Sequence, residues 1–200
     1  MIIFISSNVK KHFSTHIDFL DYNWIEYFEK KDYNFYSISN SKKNFSRISK
    51  TIKPNLIILT GGNDLFHNNE YVKNRLKIEK NIINYGISKK IPILGVCRGM
   101  QLINHFFKGK ISRVKGHMKK KNKIIFSKKM FSKKSIQVTS YHNYGIKKKD
   151  IASNFEVLAT DKNGNIEMFR HTKLNILGVM WHPEREKSNL IDLIFKELIK

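Results

Sequence analysis

The sequence predicts an α/β fold, a mostly parallel central sheet flanked by helices, with antiparallel strands in the C-terminal half. Three observations carry that expectation. Short β-branched apolar runs, IIFIS (2–6), LIILT (56–60) and IPILGV (91–96), each break off near small or polar residues, as strands buried on both faces do. The stretches between them have helical periodicity, and parallel strands need such crossover connections. After Phe107 the pattern shifts to short strand-like pieces separated by turns such as KNGN, which points to antiparallel pairing.

Taken in order, His16 to Lys30 carries Ile17, Leu20, Trp24 and Phe28 at helical spacing and is expected to be a helix, followed by a short FYSIS strand. Tyr71 to Tyr85 places Leu76, Ile78, Ile82 and Ile83 against charges on the other side, which predicts a second helix. A third follows Cys97, over Met100 to Phe107. Then KNKIIFS, SIQVTS, FEVLAT, IEMFRH and NILGVMW are expected as antiparallel strands. The lysine clusters KKKNK and FSKKMFSKK are expected to be solvated loops, with Lys128 to Lys134 mobile. Ser188 to Lys200 closes the fold as a helix, with Leu190, Leu193, Ile194 and Leu198 on one face. No internal repeat or Pro/Gly/Ser linker interrupts residues 1–200, and they are expected to form one domain.

Composition narrows the function. One cysteine in 200 residues allows no intramolecular disulfide and no CxxC metal site, which fits a reducing compartment. No apolar run approaches the roughly 20 residues needed to span a bilayer, and MIIFISSNVKKH reads as a core strand, so a cytoplasmic protein is expected. The charge is strongly positive, 38 Lys plus Arg against 16 Asp plus Glu. The excess is nearly all lysine, spread from Lys10 to Lys200 amid abundant Asn and Ile, as translation of an AT-rich genome would produce. Nucleic-acid binding would bring arginines near aromatic platforms, and this pattern lacks them. An anionic small substrate remains compatible with the charge.

The chemistry concentrates in two places. In ILGVCRGMQLIN an apolar strand runs into Cys97 and a glycine-containing turn into a helix, the arrangement of a nucleophile elbow. The amides and positive dipole end of that helix favour a thiolate. Taken alone, Cys97 is equally well a buried small hydrophobe. In ILGVMWHPERE a second apolar strand empties into His182, Pro183 and Glu184. A cysteine amidase needs a base that takes the thiol proton and returns it to the leaving nitrogen, and a group that orients the imidazole. His182 and Glu184 suit those tasks.

Together these motifs resemble the class I, triad-type glutamine amidotransferases, whose hallmarks are G-x-C-x-G-x-Q and H-P-E. Gly95, Cys97, Gly99 and Gln101 match the first, His182, Pro183 and Glu184 the second, and the resemblance runs from about Leu56 to Arg185. LTGGNDL is similar to the family's oxyanion-loop glycine pair, VTSYHNYG to its S-x-H segment, and DKNGNIEMFRH to its D-G-x-I-E stretch. The resemblance implies a flavodoxin-like sheet and a catalytic triad of Cys97, His182 and Glu184. It implies oxyanion donors from the amides of Gly62 and Arg98, and a glutamyl pocket lined by Gly61, Gln101, Ser140, Tyr141 and His142. No metal or cofactor is implied.

Arg75 and Glu79, in R-x-x-x-E spacing, and the CRG tripeptide resemble the γ-glutamyl hydrolase branch of that family, although Leu76 stands where the branch often has Asp. Asn143 and Tyr144 replace the branch's usual second His and Gln, so the leaving-group side is expected to differ. Whole-chain resemblance implies a small γ-glutamyl substrate conjugated to an anionic nucleotide, with no obligate synthase partner. KGKISRVKGH then supplies candidate phosphate-side cations, Lys108, Lys110, Arg113 and Lys115, of which Arg113 can act bidentately. A glutaminase subunit feeding a synthase, a hydrolase of another γ-glutamyl amine or peptide, and a non-enzymatic basic nucleic-acid-binding module remain open alternatives.

Overall fold

The three apolar runs form neighbouring parallel strands, β1 (Ile2–Ser6), β5 (Leu56–Leu59) and β6 (Ile93–Val96), in a computed structural model that describes residues 1–130, 133–186 and 188–199. The chain continues through β2 (Asn8–His12), β3 (Thr15–Phe19), α1 (Tyr22–Lys30), β4 (Asn34–Ile38) and α2 (Lys42–Thr51) before β5. Helix α3 (Glu70–Ser88) joins β5 to β6, and α4 (Arg98–Phe106) leaves β6. Then come β7 (Ser112–Arg113), β8 (Met118–Met130), β9 (Lys133–Tyr141), β10 (Tyr144–Lys147), β11 (Phe155–Asp161), β12 (Asn165–His171), β13 (Ile176–Val179) and α5 (Leu190–Leu198). The main sheet runs β4-β1-β5-β6-β13-β12-β11-β8-β9, with β10 beside β12 and β7 beside β10.

Strand alternation divides the core between the two faces of the sheet. Ile3 and Ile5 pack on one face with Trp24 and Phe28 of α1 and Ile191, Ile194 and Phe195 of α5. Phe4, Ile57 and Leu59 pack on the other with Ile78, Ile82 and Ile83 of α3 and Met100 and Ile103 of α4. Helices therefore cover both faces of the parallel half, and the C-terminal ends of β5, β6 and β13 open onto a common edge.

Several expectations need correction. Residues 8–19 form a β2–β3 hairpin with Phe13 at φ 52° in its turn, so the helix predicted from His16 begins only at Tyr22, after Asp21 caps it by accepting from the Asn23 amide. Ile17 lies in a strand; of the four spaced residues only Trp24 and Phe28 are buried helical positions. Helix α2 was not expected, because its sequence KKNFSRISKT buries only Phe45. The lysine clusters are not loops but much of the β8–β9 hairpin, where Ile124 and Phe126 face the core and Ile125 faces out. Lys119, Lys120, Lys121, Lys123 and Lys128 are exposed to solvent; residues 131 and 132 of the second cluster lie outside the described residues. NILGVMW is not wholly antiparallel. Its strand β13 pairs parallel with β6 and antiparallel with β12, and all four of its residues are buried, as in a central parallel strand.

Candidate active site

Cys97 stands between β6 and α4 with φ 53° and ψ −107°, a strained backbone for a residue with a side chain. The turn is tight enough that a Cβ on Gly99 would lie 2.1 Å from the Leu59 carbonyl oxygen, and one on Gly95 would lie 2.7 Å from the carbonyl carbon of Gly99. Glycines are thus a packing requirement of the elbow. The Cys97 amide donates to Val179 O at 2.8 Å, which ties the elbow to the end of β13, where His182 emerges.

His182 Nδ1 lies 2.6 Å from Glu184 Oε1, and Pro183 opens the short 3₁₀ turn Pro183–Arg185 that brings the two together. A carboxylate on Nδ1 makes that nitrogen the donor and leaves Nε2 for Cys97. Gly61 sits where these groups meet, since its added Cβ would lie 3.2 Å from His182 Nε2 and 3.4 Å from Cys97 Cβ. Burial pushes the His182 pKa down, but the charge and hydrogen bond at Cys97, with those of Glu184, outweigh it and raise it to about 10. The Tyr141 ring stands edge-on to His182 at 5.8 Å and carries the Arg185 guanidinium 5.1 Å from its centre. On one side of His182 the cavity bounded by Asn8, Trp24, Gly61, Gly62 and Glu184 has a volume of about 60 Å³.

The glycine pair of LTGGNDL ends β5 beside the elbow. Gly62 has φ 108°, and a Cβ there would fall 1.9 Å from Asn8 Nδ2. Arg98 is the first residue of α4, so its amide belongs to the helix turn that has no intrahelical acceptor. The amides of Gly62 and Arg98 thus come from the loop ends of two adjacent parallel strands.

The remaining expected residues are placed less directly. Gln101 is buried and donates to Tyr144 O at 2.9 Å, and His142 Nδ1 donates to the same oxygen at 2.9 Å. Both side chains therefore brace the 141–144 segment. Ser140 is fully buried and accepts from Asn122 Nδ2. Arg113 is exposed on β7, 5.9 Å from the Tyr144 ring centre, in the wall of a cavity of about 450 Å³ shared with Lys115, Gly116 and Asn143.

Sequence reasoning passed over Glu167, His117 and Asp161. Glu167 is the extra residue of a β-bulge, because Thr160 pairs with Ile166 and Ala159 with Met168. Burial, then the charges of Asp161 and Cys97, push its carboxyl well above the usual range. Its Oε1 lies 3.8 Å from His142 Nε2 and 3.9 Å from His117 Nε2. Burial and the nearby His117 bring His142 down to about 4. Two histidines and a glutamate within 4.8 Å of one another have the composition of a metal site. Both His117 nitrogens, however, already face protein acceptors, Lys115 O at 2.9 Å and Asp161 Oδ2 at 2.8 Å. In this cluster neither Glu167 carboxyl oxygen nor His142 Nε2 has a hydrogen-bond partner among the described residues. Its signal in the sequence was only the D-G-x-I-E likeness, which says nothing of His117.

A nucleophile elbow, a histidine–glutamate pair and a glycine loop meet at one sheet edge, in a fold of the cysteine-type amidotransferase class. Residues 15–200 match the family glutamine amidotransferase class-I, and the chain belongs to that family. Within it, the chain is 40% identical over 134 residues to the γ-glutamyl-CDP-amidate hydrolase of Campylobacter jejuni, an alignment that covers 66% of this chain and 63% of that protein. It is also 29% identical over 165 residues to one subunit of the glutamine-hydrolysing GMP synthase of Methanococcus vannielii, covering 78% of each. Among solved structures, a glutamine amidotransferase of Thermotoga maritima shares the fold with a TM-score of 0.68 and 18% identity, over 98% of this chain and 85% of that one. No helix among the described residues is long and apolar enough to cross a membrane.

Proposed function

We propose that this chain hydrolyses a γ-glutamyl amide through a covalent thioester on Cys97. The observation that carries the reading is the convergence of the strained Cys97, His182 and Glu184, with His182 holding its proton against burial. Cys97 Sγ attacks the γ-carbonyl carbon, and the C–S bond forms as the carbonyl pair moves onto oxygen. The Gly62 and Arg98 amides hold that oxyanion; losing one such donor costs about 10²- to 10³-fold in rate. As the pair returns, the C–N bond breaks and the His182 imidazolium gives its proton to the leaving nitrogen. A water deprotonated by the now neutral His182 then attacks the thioester, which releases glutamate and restores Cys97. Glu184 fixes the tautomer throughout. Gly61, Ser140, Tyr141 and the 141–144 segment braced by Gln101 and His142 shape the glutamyl pocket. No step requires a metal or cofactor.

The substrate we favour is γ-glutamyl-CDP-amidate, cleaved to glutamate and cytidine diphosphoramidate in capsular phosphoramidate synthesis. The Campylobacter relative supports it, and the cavity walled by Arg113 and Lys115 is suited to an anionic leaving group. On this reading residues 1–200 act as one domain without an obligate synthase. The relatives among GMP synthase subunits and an anthranilate synthase component 2 of Cyanophora paradoxa favour a second reading, a glutaminase that delivers ammonia to a separate synthase. Glutamate release from glutamine, γ-glutamyl amines and γ-glutamyl-CDP-amidate separates them. Preference for the nucleotide conjugate is expected, and preference for glutamine overturns the first reading.

A further inference from the structure

Arg75 at 0%, Glu79 at 0% and Arg98 at 1% exposure form an almost completely buried ionic cluster that takes no part in the proton transfers. Arg75 reaches from α3 to the end of β5. Its Nη2 donates to Thr60 O at 3.0 Å, Thr60 Oγ1 at 3.0 Å and Gly61 O at 2.8 Å, and its Nη1 donates to the side chains of Asn8 and Asn63. Its Nε donates to Glu79 Oε1 at 3.0 Å. The other oxygen of Glu79 accepts from the guanidinium of Arg98, the residue after Cys97. Ser6 Oγ completes the pair by donating to Glu79 Oε1 at 3.0 Å. Burial opposes the charge on Glu79, but the two guanidiniums hold it below the usual carboxylate range.

Stability is a poor reason for such a cluster. Desolvating buried ions costs enough that well-packed apolar side chains of the same volume often serve as well or better. What apolar side chains lack is a rigid link with defined hydrogen-bond directions. One end of this link grips the backbone on both sides of the Thr60–Gly61 peptide; the other holds the first residue of α4. Each of those segments carries one of the two amides assigned to the oxyanion.

We propose that the Arg75–Glu79–Arg98 ion triad is a positioning device that sets the spacing between the Gly62 and Arg98 amides, so that both reach one oxyanion. The inference rests on the Cys97 thioester reading. The planar fork of Arg75 makes the link, and lysine cannot replace it: an ammonium keeps the charge without the fixed set of donors. The R-x-x-x-E spacing thereby acquires a mechanical role.

The test uses the full chain with Arg75→Lys, Glu79→Gln and the milder Ser6→Ala, and four readouts. These are kcat and KM for γ-glutamyl-CDP-amidate, the affinity for glutamate γ-semialdehyde, which adds to Cys97 as a tetrahedral thiohemiacetal, and the rate of Cys97 alkylation by iodoacetamide. Alkylation at a saturated carbon builds no oxyanion. The expected pattern is a fall of about 10²-fold in kcat, a matching loss of aldehyde affinity, and an unchanged KM and alkylation rate. Alkylation that slows in step with kcat, a rise in KM alone, or unchanged kcat and aldehyde affinity overturns the proposal. Where the first two variants fail to fold, Ser6→Ala must show the same pattern at smaller amplitude. A wild-type protein that keeps its turnover after Cys97 is alkylated sinks the thioester reading itself, whereas one that is inactivated while the variants behave as wild type sinks only the positioning role.

Discussion

Adding one methyl group at Gly61 tests the catalytic geometry with little change elsewhere. The backbone there has no positive φ, so the cost of alanine lies in what its Cβ meets. That atom would stand 2.6 Å from His182 Cε1, 3.2 Å from Nε2 and 3.4 Å from Cys97 Cβ. Restoring an ordinary contact of 3.4 Å requires the imidazole to retreat by about 0.8 Å (3.4 − 2.6), against the 2.6 Å hydrogen bond that anchors it to Glu184. A misplacement near 1 Å costs on the order of 10²-fold in rate, while overpacking by one methyl costs about 1–3 kcal/mol of stability. Gly61→Ala is therefore expected to melt cooperatively, somewhat below the wild type, and to lose about two orders of magnitude in kcat. Steady-state glutamate release read beside a thermal melt checks both. A folded Gly61→Ala protein with wild-type turnover would refute the placement of His182 against Cys97.

Glu184→Gln removes the negative charge that helps raise His182 and leaves only a neutral amide oxygen to accept from Nδ1. The alkaline limb of kcat/KM, expected near 10 in the wild type, should move to lower pH, and kcat should fall by about 10²-fold or more, both read from a pH–rate profile. Because the folded His182 value lies above the ordinary 6.5, its stabilising contribution is complete below that pH and is lost as pH rises towards 10, so urea unfolding should show the wild type losing its advantage over Glu184→Gln across that window. Gly99→Ala would drive a Cβ to 2.1 Å from the Leu59 carbonyl, which belongs to backbone and cannot swing aside; the stability loss should reach about 1–3 kcal/mol or more in chemical denaturation. Asp21→Ala removes the α1 N-cap and the partner of Arg185, and should lower stability by about 1 kcal/mol in the same assay.

The parallel half of the fold and the two reactive segments were legible in the sequence because each functional residue directly follows an apolar strand: Val96 before Cys97, and the ILGVMW run before His182. The β2–β3 hairpin was not, since Ile17, Leu20, Trp24 and Phe28 keep helical spacing across a hairpin and a cap that only tertiary pairing enforces. The parallel pairing of β13 is with β6, some eighty residues earlier in the chain. Glu167 is aimed by a bulge, which leaves no local pattern. Arg75 and Glu79 were visible as an i,i+4 pair, but their connection to Arg98 exists only once α3 lies against α4.

The central claim is that the glutamyl group passes through Cys97. Acid-quenching the protein during turnover of γ-glutamyl-CDP-amidate, followed by peptide mapping by mass spectrometry, reads this directly. The account predicts a glutamyl adduct on the peptide containing Cys97 that hydroxylamine removes, and none in a folded Cys97→Ser variant. Turnover that persists in Cys97→Ser, or a glutamyl adduct on any other residue, would contradict it.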